Sequence, residues 1–124
     1  MTVATFKMDL SKFAKHLDVE VEKVVRKISF EIYNGITQKT PVDTGRAKAN
    51  WNIGFQNPNL KVDMKKTTFT PVSIPKGKGK HAIFITNNLP YIAMLENGSS
   101  KQAPTGMVAI TMNDVKNRIN RVIR

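Results

Sequence analysis

From Leu10 onward apolar residues recur in steps of three and four, at Leu10, Phe13, Leu17, Val21, Val24, Ile28, Ile32 and Ile36. That spacing lines one face of a helix. Asp18, with Glu20 and Glu22 after it, has the form of an N-cap followed by acidic residues against the helix dipole. The pattern therefore predicts a short helix ending near His16 and a longer one reaching Lys39. Pro41 disfavours helical geometry at Thr40 and closes the longer helix, and Gly35 weakens its last turn.

The period then changes to two. Trp51, Ile53 and Phe55 alternate with polar residues, as do Leu60, Val62 and Met64 after the turn-forming Asn57-Pro58-Asn59, which predicts an antiparallel hairpin. Thr67 to Lys80 is rich in Pro, Gly and Lys towards its end and reads as a long mobile loop. Ala82 to Thr86 is a short apolar run expected as a buried strand in the same sheet. Tyr91 to Glu96 suits a short helix ended by Asn97-Gly98, and Ser99 to Thr105 a polar loop. Met107, Ile110, Met112, Val115, Ile119 and Val122 fit a C-terminal helix imperfectly, with a short strand over Val108 to Met112 as the alternative.

Together these elements predict an α+β fold, a long N-terminal helix and a C-terminal helix packed on a small, mainly antiparallel sheet. The expected layout is a single domain over 1–124. It is helical over 9–39, with a turn at 40–48, a sheet over 49–87 containing the mobile loop 67–80, a short helix at 90–97 and the closing helix at 105–123. A chain of 124 residues with 40% apolar content accommodates one core and argues against two. The absence of cysteine excludes disulfides, zinc-thiolate sites and thiol catalysis, and fits folding in a reducing cytoplasm. No apolar run approaches a membrane span, and the first residues lack the layout of a signal peptide.

Charge adds the first functional constraint. Twenty Lys and Arg against nine Asp and Glu leave a formal net charge of +11, which calls for an acidic partner, nucleic acid or an acidic protein surface. Lys76, Lys78 and Lys80 cluster in one loop, and Arg118, Arg121 and Arg124 recur every third residue; both sets are candidate contacts to DNA or to an acidic partner. Gly77-Lys78-Gly79-Lys80 lacks the spacing and the following Ser or Thr of a phosphate-binding loop. His16 and His81 are the only histidines and share no metal-ligand spacing. No serine is placed by spacing near either histidine, so a nucleophilic triad is not indicated. Single-strand binders stack bases on exposed aromatics, whereas Trp51, Phe55 and Phe84 occupy core-facing positions, so sequence-specific recognition is not supported. Charge alone still leaves a small basic nucleic-acid-binding module as an alternative function.

The most distinctive local stretch runs from Thr40 to Arg46. Proline fixes the backbone, Asp43 and Thr44 can cap local amides, and Gly45 permits a positive φ before Arg46 leads onward. It reads either as a structural corner or as a rigid turn presenting Asp43 and Arg46 for directional contacts to a neighbour.

Extended to Trp51, this stretch reads TPVDTGRAKANW, and Tyr91 to Val108 reads YIAMLENGSSKQAPTGMV. The two motifs in this order resemble the neck and tail-completion proteins of long-tailed bacteriophages, the gene-product-ten-like family of lambda-like phages, and are similar to minor tail protein Z of phage lambda. The likeness includes the layout of an N-terminal helix, a central sheet and a closing helix. It implies a virion structural protein, assembled in the host cytoplasm, that forms a sixfold ring with copies of itself at the head-tail junction. There it would contact the tail tube protein and the head-tail connector or stopper, with DNA passing through the ring without sequence-specific binding. No catalysis, cofactor, metal or membrane partner is implied. The interface residues suggested by the two motifs are Pro41, Asp43, Thr44, Gly45, Arg46, Tyr91, Glu96, Gly98, Gln102 and Pro104.

Overall fold

The computed structural model describes residues 2–3, 10–40, 45–55, 57–72, 74–75, 83–92 and 106–122. The first helix, α1 (Ser11–Leu17), ends at Asp18, whose φ of 55° and ψ of 47° are left-handed and whose N–H donates to the carbonyls of Ala14 and Lys15. Asp tolerates this conformation better than most residues do. Asp18 therefore closes α1 and is not the N-cap of the next helix. That helix, α2 (Val21–Lys39), has Glu20 at its N-cap position, with no side-chain capping bond. Leu17 and Val21, on either side of this left-handed turn, are 44% and 43% exposed while Leu10, Ala14 and Val24 are buried.

Thr40 stops α2, its hydroxyl donating to the Ile36 carbonyl at 2.7 Å. After it comes α3 (Arg46–Ala49), one helical turn where a plain turn was expected. Next are β2 (Trp51–Phe55) and β3 (Ile83–Asn87), which pair antiparallel with Ile53 opposite Ile85. The two-residue strand β1 (Thr2–Val3), not foreseen from the apolar pattern, pairs with the other edge of β3 at Asn87 and Thr86. The sheet is therefore three-stranded in the order β1-β3-β2.

The expected hairpin between Trp51–Phe55 and Leu60–Met64 does not form, because the latter segment is in no strand. Gly54 shows why. A Cβ there would lie 2.2 Å from the Asn57 carbonyl oxygen and 2.8 Å from the Asn59 nitrogen, so the Asn57-Pro58-Asn59 turn folds onto the face of the sheet instead of its edge.

The closing helix α4 (Met107–Val122) replaces the short-strand alternative. Its buried row is Met107, Thr111, Val115 and Ile119, and α2 presents Val24, Ile28, Ile32 and Ile36 at the same four-residue spacing. Rows of this kind interdigitate between packed helices, and Gly35 permits the close approach, since a Cβ there would sit 2.8 Å from Thr111 Cγ2. The core joins these rows to Leu10, Ala14, Trp51, Ile85, Leu89 and Ile92. The fold is thus α+β, with helices from both terminal regions packed on one face of the sheet. Of the short helix expected over Tyr91 to Glu96, only Tyr91 and Ile92 lie within the described residues, and Ile92 donates to the Leu89 carbonyl in a turn.

Candidate interaction surface

The first motif is built around a closed corner. Trp51, 6% exposed, donates its indole N–H to the Thr40 hydroxyl at 2.9 Å, pinning the start of β2 to the end of α2. Gly45 adopts a φ of +80°, and a Cβ on it would meet the Thr67 carbonyl oxygen at 2.2 Å, so glycine is required both by conformation and by space. Arg46 opens α3 half-buried, and its carbonyl accepts from Asn50 Nδ2 at 2.9 Å. Pro41, Asp43 and Thr44 lie outside the described residues.

Asn87, 1% exposed, ties the two motifs together. Its Nδ2 donates to the Ala47 carbonyl at 2.8 Å, and its Oδ1 accepts from the Leu89 N–H at 3.2 Å. One buried amide thus joins α3 to the stretch leading into Tyr91, which is half-buried against the core. Glu96, Gly98, Gln102 and Pro104 of the second motif lie outside the described residues.

On the opposite face of the sheet, residues 57–63 form a strap held by side chains. Asn50 exchanges two hydrogen bonds with the main chain of Asp63. Asn52 donates to the Lys61 carbonyl at 2.9 Å. The Thr86 hydroxyl donates to the Asn59 carbonyl, which also accepts from Asn88 Nδ2 at 3.0 Å. Asn52 and Thr86 are cross-strand partners, so alternate polar residues of two strands grip one extended segment. These residues carried no motif. The available signal was the polar phase of the β2 alternation, Asn50 and Asn52, whose amides can mimic backbone groups.

Beyond the strap the chain turns back over the helices. Phe69 packs against Tyr33, with ring centroids 6.4 Å apart, and Lys48 Nζ lies 5.1 Å from the Phe69 centroid. Burial pushes the Tyr33 phenol above its ordinary pKa, opposed by a backbone hydrogen bond from Val72. Residues 67–72 are therefore anchored here, at the start of the stretch expected to be mobile. Ile74 is buried as well. Lys76, Lys78 and Lys80 lie outside the described residues.

The strap and the turn after it expose the apolar side chains of Leu60 at 55%, Val62 at 46% and Met64 at 44%, interleaved with the exposed Lys61 and Asp63 and followed by Lys65 and Lys66. A second exposed apolar set, Leu17, Val19 and Val21, alternates with Asp18, Glu20 and Glu22. In the C-terminal arginine row, Arg118 is ion-paired with Glu31 of α2, Arg121 is exposed, and Arg124 lies outside the described residues. His16 is exposed, and no cluster of three metal-ligating side chains occurs among the described residues. Among them, too, no helix is long and apolar enough to cross a membrane. Both segments thus expose apolar side chains between charged ones.

Comparison with known proteins adds one match. The sequence model of the family described as "Bacteriophage HK97-gp10, putative tail-component" matches residues 4–98. No curated protein and no solved structure gives a match.

Proposed function

The chain belongs to the HK97 gp10-like family of phage tail components, and from that premise we propose that it is a virion structural protein of the head-tail junction. Copies of the chain would form a sixfold ring that completes the tail and joins the tail tube to the connector or stopper beneath the portal. The family match across both the corner and the sheet carries this reading. Two features support it. The described residues spend polar side chains of the corner and the sheet, those of Asn50, Asn87 and Trp51 among them, on bonds within the chain. Their exposed apolar side chains lie on surface segments instead. The likeness of the two sequence motifs to minor tail protein Z of phage lambda supports the position at the junction.

The experiment is complementation of tails assembled without this protein, followed by electron microscopy and head-joining assays. The proposal expects added protein to appear as a ring at the head-proximal end and to restore joining. Normal joining without it would overturn the junction role. DNA binding measured across a salt series separates the nucleic-acid alternative, which requires tight affinity that falls steeply with salt.

A further inference from the structure

We infer that Leu60–Met64, the end of the strap and the first residue of the turn after it, docks from one subunit on the α1–α2 turn Leu17–Val21 of a second copy, in a head-to-tail contact. This inference rests on the self-assembly proposed above and specifies the surfaces that carry it. Both segments expose three apolar side chains at alternate positions, Leu60, Val62 and Met64 on one and Leu17, Val19 and Val21 on the other.

With their flanking residues the two segments have net charges of opposite sign. The turn interleaves its apolar residues with Asp18, Glu20 and Glu22, three of the nine acids in a chain of net charge +11, between Lys15 on one side and Lys23 on the other. The strap carries Lys61, Lys65 and Lys66 around a single Asp63. Asp18, Glu20 and Glu22 have no ion-pair partner among the described residues, and neither do Lys61, Lys65 and Lys66. Burial of apolar area supplies the attraction, and the opposed charges select the partner and its orientation.

One subunit cannot make this contact with itself in the structure. The strap lies on the sheet face gripped by Asn52 and Thr86, whereas α1 and α2 share the core with Trp51 and Ile85 on the opposite face. The two surfaces also differ from each other, so the pairing is heterologous. Repetition of a heterologous contact produces a ring when the rotation closes. The backbone of the strap is already held by Asn50, Asn52, Thr86 and Asn88, which reduces the ordering cost of docking.

The absence of cysteine permits a direct test. Val19→Cys protein is mixed with Val62→Cys protein and treated with a short bis-maleimide, both in purified protein over a concentration series and in tails carrying it. The expected product is a covalent heterodimer, at about tenfold higher yield than the dimer from either variant alone, since like surfaces do not face each other in a heterologous contact. Lys61→Glu with Lys65→Glu should lower the yield about tenfold, and adding Glu20→Lys with Glu22→Lys in the same chain should restore it. Circular dichroism and thermal unfolding confirm that each variant is folded. Self-assembly by sedimentation without the 19–62 cross-link would overturn this contact and leave the ring standing. A protein that stays monomeric in solution and enters tails as a single copy would overturn both.

Discussion

Asn50 and Asp63 exchange two hydrogen bonds: Asn50 Nδ2 donates to the Asp63 carbonyl at 3.0 Å, and the Asp63 N–H donates to Asn50 Oδ1 at 2.8 Å. A carboxamide here takes the place of a neighbouring strand's peptide group. Residues 57–63 are thereby held on the sheet without joining its ladder, and their apolar side chains remain free to face outward.

Because Asn50 is 3% exposed, Asn50→Ala would strand the groups it satisfies and is expected to cost about 1–3 kcal/mol. Asn52→Ala, whose bond to Lys61 is solvent-exposed, should cost less. Hydrogen exchange supplies the second readout: faster exchange at Asp63 in Asn50→Ala is expected, and unchanged protection there would argue against the bonding described.

The Trp51 indole and the Thr40 hydroxyl are buried partners. Thr40→Val keeps the shape but leaves the indole N–H unpaired, for an expected loss of about 1–3 kcal/mol by denaturant unfolding. Trp51→Ala removes the aromatic packing as well and should cost roughly 3–5 kcal/mol. Native fluorescence from the single tryptophan should be blue-shifted, and a solvent-like spectrum would contradict its burial.

Gly35→Ala tests the approach of α2 to α4. Alanine raises intrinsic helix stability by about 1 kcal/mol, but its Cβ would fall 2.8 Å from Thr111 Cγ2. Such overpacking typically costs about 1–3 kcal/mol, so net destabilisation is expected. Thr111→Ser removes the obstructing methyl, and the double variant should recover part of the loss. Additive effects of the two substitutions would refute direct contact.

Tyr33 gives the protein an alkaline limit. Its folded pKa is raised above the ordinary 10.0, so its contribution to stability is fully present below the unfolded pKa and is lost as pH rises through the folded one. Thermal melts should fall in that alkaline range, and Tyr33→Phe should flatten the decline. Ultraviolet titration of Tyr33 in a Tyr91→Phe background is expected to show ionisation above the ordinary value. An ordinary transition of Tyr33 would exclude the shift.

The α2 stripe was legible from Val24 to Ile36 because one regular helix keeps a single phase. It failed at Leu17 and Val21, which flank the left-handed backbone at Asp18, a turn that no spacing of apolar residues records. The motif around Gly45 was likewise legible as a corner, since a positive φ there asks for glycine. That its Cβ position faces Thr67 is a long-range contact.

Local physics carried in the sequence determined the α+β class, the two long helices and the strand at Trp51–Phe55, because periodicity and turn chemistry act between near neighbours. Tertiary structure alone decided which partner β2 takes. Leu60, Val62 and Met64 alternate like a strand, yet β2 pairs with β3 and the alternating segment crosses the sheet's outer face. The local pattern is satisfied by either arrangement. The choice lay with Gly54, which admits the turn, and with the side chains of Asn50, Asn52, Thr86 and Asn88, which bond the strap from two strands at once.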